Sequence, residues 1–527
     1  MVYGGKPSTG CHLCRKRKIK CDEARPGCRN CAVYGRPCPG YRPNAVFRHE
    51  TSKVQWQAKR DVSTSSAVSR QTLTPPADSS DVVEIQRVSP ARSSPLTLHA
   101  LADATWEQRA LCYFFDQYTI NGQNEDGMGH LEYLPSLYVE NDGAGEALSP
   151  SSCLRWAVDA TALITLANAS HAPPLMIKAR QGYGKALRIL REVLASPTEA
   201  VKDETFASVI LLSLFEDISG ERKGLYSSHT AGFEFLMRSR GVRQLAHQRG
   251  REMFGFAFTH TYVEILALGD KPRCDLDWVL AVLRNNDPVE RLMLAACKLS
   301  QLFVTMQSAS TSPDQATVKS WIAAGQQCDF ELSQWTLHLP DRWLPLVVYS
   351  SHGEQLITYN RISNAVIWNY YRAVRVMVQQ LLLNLNRTLN VIIQKNKKFG
   401  EPPVTKSTLD ESGLRAIIQE MTADLCRSIP FALSDIDTLG RSMSSTESQR
   451  PIRAAQGYGL LWPLWYILTC GMPTPAQVNQ IRSVLYRIGT TMGINLALVL
   501  GREAERLPND PNSYRAPTIG GHADDQT

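Results

Sequence analysis

Six cysteines fall within 28 residues near the N-terminus, at Cys11, Cys14, Cys21, Cys28, Cys31 and Cys38. The spacing is a C-x-x-C-x6-C unit written twice. Thiols at this density support three chemistries: a disulfide framework, a redox pair, or ligation of a metal. A disulfide framework needs an oxidising compartment. The first ten residues have no apolar h-region, and the longest apolar stretch, roughly 458–472, is short and broken by Pro463. The chain is therefore expected inside the cell, with reduced thiols and no membrane partner. A redox C-x-x-C wants an adjacent strand pattern, which is not visible here. Metal ligation fits best, because a C-x-x-C pair can place two sulfurs on one ion while later cysteines complete the tetrahedron. Zinc is the expected ion, being tetrahedral, thiolate-tolerant and redox-inert.

Six thiolates cannot give two zinc ions four private ligands each. The arithmetic closes if two thiolates bridge both metals. The two-fold repeat suggests the first cysteine of each half, Cys11 and Cys28. Such a cluster carries net negative charge, which basic neighbours would stabilise.

Five of the six residues between Cys14 and Cys21 are basic: Arg15, Lys16, Arg17, Lys18 and Lys20. The matching interval of the second half, residues 32–37, has only Arg36. Neutralising the cluster needs no such bias, so the first half is expected to face a polyanion and the second to complete the metal site. A short helix after Cys14 would fan the basic side chains around its turns, some to phosphates and some to base edges. Phosphate contacts set register and make binding salt-dependent, while Lys and Arg are natural donors to guanine in the major groove. The same run can act as a nuclear import signal. Pro26 is expected to turn the chain between the metal lobes by fixing φ.

These residues resemble the DNA-binding head of the fungal-type six-cysteine binuclear zinc cluster transcription factors. The resemblance rests on Cys11-x-x-Cys14-Arg-Lys-Arg-Lys-Ile-Lys-Cys21-Asp22, Arg25-Pro26-Gly27-Cys28-x-x-Cys31 and Arg36-Pro37-Cys38. It implies two Zn2+ ions, a nuclear location and double-stranded DNA as partner. It also implies that Lys18, four residues after the second cysteine, reads a CGG triplet with Arg17 beside it. Arg15, Lys16 and Lys20 then serve phosphates or the cluster. The class regulates RNA polymerase II genes, and many relatives govern metabolic pathways, secondary metabolism included. A coiled coil often follows the linker in this family. Here no three heptads with apolar a and d positions are found, so a homodimer would form through the C-terminal region instead, or not at all.

The charge distribution agrees with a polyanion-binding head. The net charge of +7 conceals an asymmetry: residues 1–60 hold 14 Lys+Arg against 3 Asp+Glu, and the remainder holds 43 against 47. A chain of 527 residues is too long for a single core. The expected organisation is a cluster domain over 1–45, a linker over 46–104, an all-α regulatory domain over 105–505 and a polar tail over 506–527. The expected fold is thus a small irregular zinc-cluster module with two short helices and a large all-α domain, with a disordered linker between. The linker is rich in Ser, Thr and Pro. Its Thr74-Pro75, Ser89-Pro90 and Ser94-Pro95 pairs are candidate phosphorylation sites, with unmodified linker residues the alternative.

From Trp106 the pattern becomes helical. "TWEQRALCYFFDQY" has apolar residues at 106, 110, 111, 114, 115 and 118. Further helices are expected at "SCLRWAVDATALITLANAS", "KALRILREVLA", "DETFASVILLSLFEDIS" with Asp203 as N-cap, "PVERLMLAACKLSQLFVTM", a long one around "AVIWNYYRAVRVMVQQLLLNLNRTLNVII", "ESGLRAIIQEMTADLCRSI" and "PAQVNQIRSVLYRIGTTMGINLALVL". Sustained β alternation is absent. The region resembles the fungal-specific transcription factor domain, on blocks such as "ALCYFFDQYT", "GHLEYLPSLY" and "SVILLSLFEDISG". That implies regulation through co-regulators, the transcription machinery or an effector. No phosphate-binding Gly-Lys-Ser/Thr loop, H-E-x-x-H or G-x-S-x-G is found. His229, His260 and His352 are isolated, and the remaining seven cysteines are scattered. The chain is therefore expected not to be an enzyme. Two alternatives remain: a repressor or partner-recruiting relative with weak DNA binding, and an enzyme with an appended zinc module.

Overall fold

The computed structural model describes residues 11–24, 27–36, 38–39, 104–119, 131–140, 152–222, 227–268, 281, 283, 287–309, 313–398, 409–443, 452–470 and 472–506. The expectations for Pro26, the linker with its Ser/Thr-Pro pairs, and the tail lie outside these residues. The chain forms two compact units, 1–93 and 94–527.

Among the described residues the first unit contains two short helices, α1 (His12–Lys16) and α2 (Arg29–Val33), and almost no hydrocarbon core. Its buried cluster is Cys11, Cys14, Cys28 and Cys31, with Leu13, Cys21 and Cys38 packed against it. A module this small cannot bury enough apolar surface to fold on hydrophobicity alone and needs a metal or cross-links. The helices start where the sequence gives little warning. Cys11 caps α1 and Cys28 caps α2, each sulfur accepting the backbone N–H of the cysteine three residues on. Helix α1 thus begins before Cys14, not after it, and stops at Lys16.

The second unit is helical apart from one hairpin among the described residues. Its first helix, α3 (Trp106–Tyr118), opens with a capping box between Thr105 and Gln108. Then come α4 (Leu134–Glu140), α5 (Cys153–Ala169), α6 (Pro173–Leu194), α7 (Pro197–Ala200) and α8 (Asp203–Ser219). Lys202, not Asp203, is the N-cap of α8. Asp203 lies in the first helical turn, where its carboxylate pairs with Arg240 and Arg249. Next are α9 (Thr230–Arg240), α10 (Gln248–Leu268), α11 (Pro288–Ser308) and α12 (Gln315–Leu337).

Strands β1 (Leu346–Tyr349) and β2 (Gln355–Thr358) pair antiparallel, Leu346 opposite Thr358 and Tyr349 opposite Gln355. Four residues each are too few for a sustained alternation, so the hairpin leaves no clear trace in the sequence. The chain continues with α13 (Ile362–Lys398), α14 (Glu411–Ala432), α15 (Ala454–Tyr458) and α16 (Leu461–Thr469). Pro463 sits in the first turn of α16, where no backbone N–H is missed, and α16 is buried almost all round. The final expected helix is two: α17 (Pro475–Thr491) and α18 (Asn495–Arg506), separated at Gly493 with φ +73°.

One hydrophobic cluster runs from Ala110 to Leu500. Helix α5 packs against α3, α6 and α8, while α13 packs against α12 and α14. Asn168 ties three segments together: its Nδ2 donates to the carbonyls of Ile218 and Gly493, at 2.7 and 2.8 Å. Gly220, φ +72°, ends α8 where any Cβ would fall 2.7 Å from Asn495 Cβ.

Candidate metal centre and nucleic-acid interface

The six N-terminal thiols converge into two overlapping quartets. Cys11, Cys14, Cys21 and Cys28 form one, and Cys11, Cys28, Cys31 and Cys38 the other. Within each quartet all sulfurs lie within 4.8 Å of one another. Cys11 and Cys28 belong to both. Their sulfurs are 3.6 Å apart, as are Cys11–Cys31 and Cys14–Cys28. A disulfide would bring two sulfurs to about 2 Å. A tetrahedron of sulfurs around zinc, at about 2.3 Å from the metal, has edges of about 3.8 Å. The observed separations match the tetrahedral edge.

The thiol chemistry also fits a cation. Burial, with hydrogen bonds from the neighbouring thiols, pushes Cys14 up to about 12, and burial pushes Cys28 and Cys31 up as well. The backbone N–H of Cys11 helps hold Cys21 down to about 7. Packed this closely, the sulfurs repel one another as thiolates unless positive charge lies between them. Among the described residues the other cysteines are free thiols outside this cluster, and all but Cys112 are buried.

The two halves repeat at the level of the backbone. Arg15 N–H donates to Cys11 O and Ile19 N–H to Cys14 O; Ala32 N–H donates to Cys28 O and Arg36 N–H to Cys31 O. Aligning the halves puts Arg17 opposite Tyr34 and Lys18 opposite Gly35. Gly35 has φ +70° and Lys18 has φ +56°. The second half fills its left-handed position with glycine, while the first keeps a lysine there against steric preference. Strain of this sort points to a wanted side chain. Arg17 and Tyr34 meet directly, the guanidinium carbon lying 3.5 Å from the ring centroid.

Arg15 and Lys16 are on α1, Arg17 is its C-cap, and Lys18 and Lys20 lie beyond it. Arg15 is half-buried; Lys16, Arg17, Lys18 and Lys20 are exposed. The basic side chains are therefore presented by one helical turn and the bend after it, not by a longer helix. Three further residues hold this bend. Tyr34 stacks on Arg17, Asn30 donates to Lys20 O at 2.7 Å, and Asp22 accepts the Arg29 N–H at 3.0 Å. Laying one half of the repeat over the other in the sequence would have flagged Tyr34, opposite Arg17; nothing flags Asn30.

Comparison with known proteins places this geometry in a class. Residues 9–45 match the family described as the fungal Zn(2)-Cys(6) binuclear cluster domain, and residues 146–310 match the fungal specific transcription factor domain. An uncharacterized protein of Emericella nidulans is 32% identical over 131 residues, 24% of this chain and 27% of its own. The aspercryptin biosynthesis cluster-specific transcription regulator of the same organism is 44% identical over 55 residues, 10% of this chain and 9% of its own. A transcription activator of Alternaria alternata is 56% identical over 43 residues, 8% and 5% of the two chains. The match thus spans about a quarter or less of the length of these relatives. No solved structure matches. The chain thus carries a fungal-type Zn(2)-Cys(6) binuclear cluster domain at its head and a match to the fungal specific transcription factor domain behind it. Its cofactor is two Zn2+ ions, and the cluster domain implies DNA as partner. No described helix is long and apolar enough to cross a membrane.

Proposed function

We propose that the chain is a nuclear, zinc-dependent regulator that reads CGG-type half-sites and controls transcription of a metabolic pathway. The cluster domain occupies residues 1–45, with a linker over 46–104, a regulatory domain over 105–505 and a tail over 506–527. Cys11, Cys14, Cys21 and Cys28 hold one zinc, and Cys11, Cys28, Cys31 and Cys38 the other, Cys11 and Cys28 bridging. The metals supply the fold of the head rather than a reaction: they neutralise the buried thiolates and lock the two half-repeats together. Lys18 donates to guanine edges. Arg17, held by Tyr34, sits beside it, and Arg15, Lys16 and Lys20 meet phosphates or the cluster. The observation that carries this reading is the pair of quartets sharing Cys11 and Cys28, with the exposed basic bend built on them. The names of the relatives support the regulatory role, and one of them names the aspercryptin biosynthesis cluster.

The same reading makes the chain a non-enzyme. His260, isolated in the sequence, sits in a half-buried network, its Nε2 3.2 Å from Ser213 Oγ and 3.1 Å from an Arg222 nitrogen. Burial and the Arg222 charge push its pKa down to about 3. A ring nitrogen that takes a guanidinium N–H is a poor base for the serine beside it, which supports a structural role.

The test is selection of bound sites from random DNA by the zinc-loaded full-length protein and its Lys18→Ala variant. Enrichment of CGG by the parent, lost in the variant, is the expected result. No enrichment with zinc bound would overturn it. Paired triplets at fixed spacing mean that two copies bind together, and single triplets mean one.

A further inference from the structure

Far from the cysteines in sequence, the helical unit holds a partly open cavity of about 560 Å³. Helices α3, α8, α10, α11, α13, α15 and α16 all contribute to its wall. We propose that this cavity binds an uncharged, ring-bearing small molecule carrying hydrogen-bond-accepting oxygens. The proposal does not depend on the DNA-reading assignment.

Size is the first argument, since sites for small molecules are typically about 300–1,000 Å³. The lining is the second. It is mainly aromatic and aliphatic, with rings from Phe256, Tyr370, Tyr458 and Trp462 facing the same space. Phe256 and Tyr458 are parallel, at an interplanar angle of 6°, and Tyr370 lies 5.3 Å from Trp462 between centroids. Such walls suit flat ring systems, which gain from offset and edge contacts with aromatic neighbours.

Polarity is the third argument. Two lining residues carry donors with no partner among the described residues: Tyr118 Oη and Trp462 Nε1. Both residues are more than nine-tenths buried, Tyr118 at 4% and Trp462 at 3% exposure. Buried donors are normally satisfied, because leaving one unpaired forfeits its hydration. Acceptor oxygens on a ligand would satisfy both.

Charge is the fourth. The cationic groups of the wall are already engaged. Arg222 pairs with Asp217, Arg251 donates to Leu245 O at 2.5 Å, and Arg342 is also not free. Asp217 also accepts the Tyr458 hydroxyl at 2.7 Å. Glu252 accepts from Gln248, its other oxygen has no partner, and burial raises its pKa. The wall carries four carboxylates, Asp217, Glu252, Asp287 and Glu290, against the three guanidiniums, which disfavours an anion; Asp217 is paired with Arg222, Asp287 accepts the N–H groups that open α11, and burial biases Glu252 towards the neutral form.

The experiment measures binding of four probes to the full-length protein by equilibrium dialysis: anthracene, 9,10-anthraquinone, anthraquinone-2-carboxylate and 9-(aminomethyl)anthracene. Saturable one-to-one binding, tightest for anthraquinone, is expected. Tyr118→Phe, which removes one oxygen, should weaken anthraquinone binding about fivefold and leave anthracene unchanged. Trp462→Phe should act in the same direction. Thermal melting of each variant checks that it is folded, and Tyr118→Phe alone suffices if Trp462→Phe is not. The proposal is overturned if no probe binds saturably, or if anthracene matches anthraquinone. It is equally overturned if a charged probe binds tighter, or if Tyr118→Phe leaves anthraquinone affinity unchanged.

Discussion

Replacing Lys18 by glycine should move stability and DNA binding in opposite directions. Lys18 holds φ +56° at the position where the other half of the repeat has Gly35 at +70°. A left-handed L-residue costs about 1–2 kcal/mol, and glycine there removes that strain. Glycine also gives the unfolded chain more freedom, which costs about 0.5–1 kcal/mol. The net is a gain of roughly 0–1.5 kcal/mol, read as zinc retention against a chelator that is equal or up to about tenfold stronger. Loss of a base-reading ammonium should weaken specific DNA binding by about 1–3 kcal/mol, roughly 5- to 150-fold. Lys18→Ala keeps the strain and loses the charge, so it should lose DNA affinity without gaining zinc retention. Gly35→Ala is the mirror control. Nothing lies within 4 Å of its Cβ, so only the backbone objects. It should weaken the head by about 1 kcal/mol while leaving the DNA affinity of the zinc-loaded protein unchanged. The assays are chelator competition and fluorescence anisotropy on CGG-bearing and scrambled duplexes. If Lys18→Gly loses zinc as readily as it loses DNA, the strain argument is wrong. If it keeps its preference for CGG, Lys18 is not the reader.

Three further outcomes follow from the same geometry. Cys28→Ala removes a sulfur common to both quartets and should leave no stably bound zinc, whereas Cys38→Ala touches one quartet and should leave one zinc per chain by native mass spectrometry. Asn168→Ala strands the carbonyls of Ile218 and Gly493, and should lower stability by about 1–3 kcal/mol in urea titration. His260 gives the helical domain a pH dependence. Its folded pKa, about 3, is below the unfolded value near 6.5, so the unfolded chain binds the extra proton between those limits. Stability from this group is complete above pH 6.5 and falls on acidification by up to about 1.4 kcal/mol per pH unit. Between pH 6.5 and 5 the urea midpoint of His260→Gln should change less than that of the parent.

The sequence was most legible where chemistry fixes spacing. The repeat of C-x-x-C-x6-C carries the pairing of the thiols, because two overlapping quartets are how six sulfurs surround two tetrahedral ions. Helical periodicity carried most of the body, as for 106–118, whose expected stripe coincides with α3. The failures share a physical cause, which is that the deciding partner lay elsewhere in the chain or was an unusual residue. Helix α1 starts early because Cys11, not a usual capping residue, caps it. Asp203 moved from cap to first turn, where Arg240 and Arg249 reach it from more than thirty residues away. The expected last helix broke where the Gly493 carbonyl binds Asn168, a contact spanning 325 residues.

The head shows how a two-fold scaffold can carry a one-fold task. Backbone hydrogen bonds, capping sulfurs and left-handed bends are all repeated across the halves. The side chains break the symmetry. Where the first half has Arg15, Lys16, Arg17 and Lys18, the second has Ala32, Val33, Tyr34 and Gly35. Ala32 and Val33 only remove charge, and Gly35 also takes the left-handed bend without strain. The fourth is different, because Tyr34 supplies the ring that holds its own counterpart, Arg17. A cation stacked on an aromatic face gains about 0.5–1 kcal/mol at an exposed site, and its freedom of rotation is reduced before any partner arrives. The second half therefore serves the first twice, by closing the metal site and by orienting one of the cations beside Lys18. A double-mutant cycle separates these roles. Tyr34→Ala should weaken DNA binding in the presence of Arg17 and have no further effect once Arg17 is alanine, with zinc content constant throughout. Additive losses would show that the stacking does not orient Arg17 for DNA.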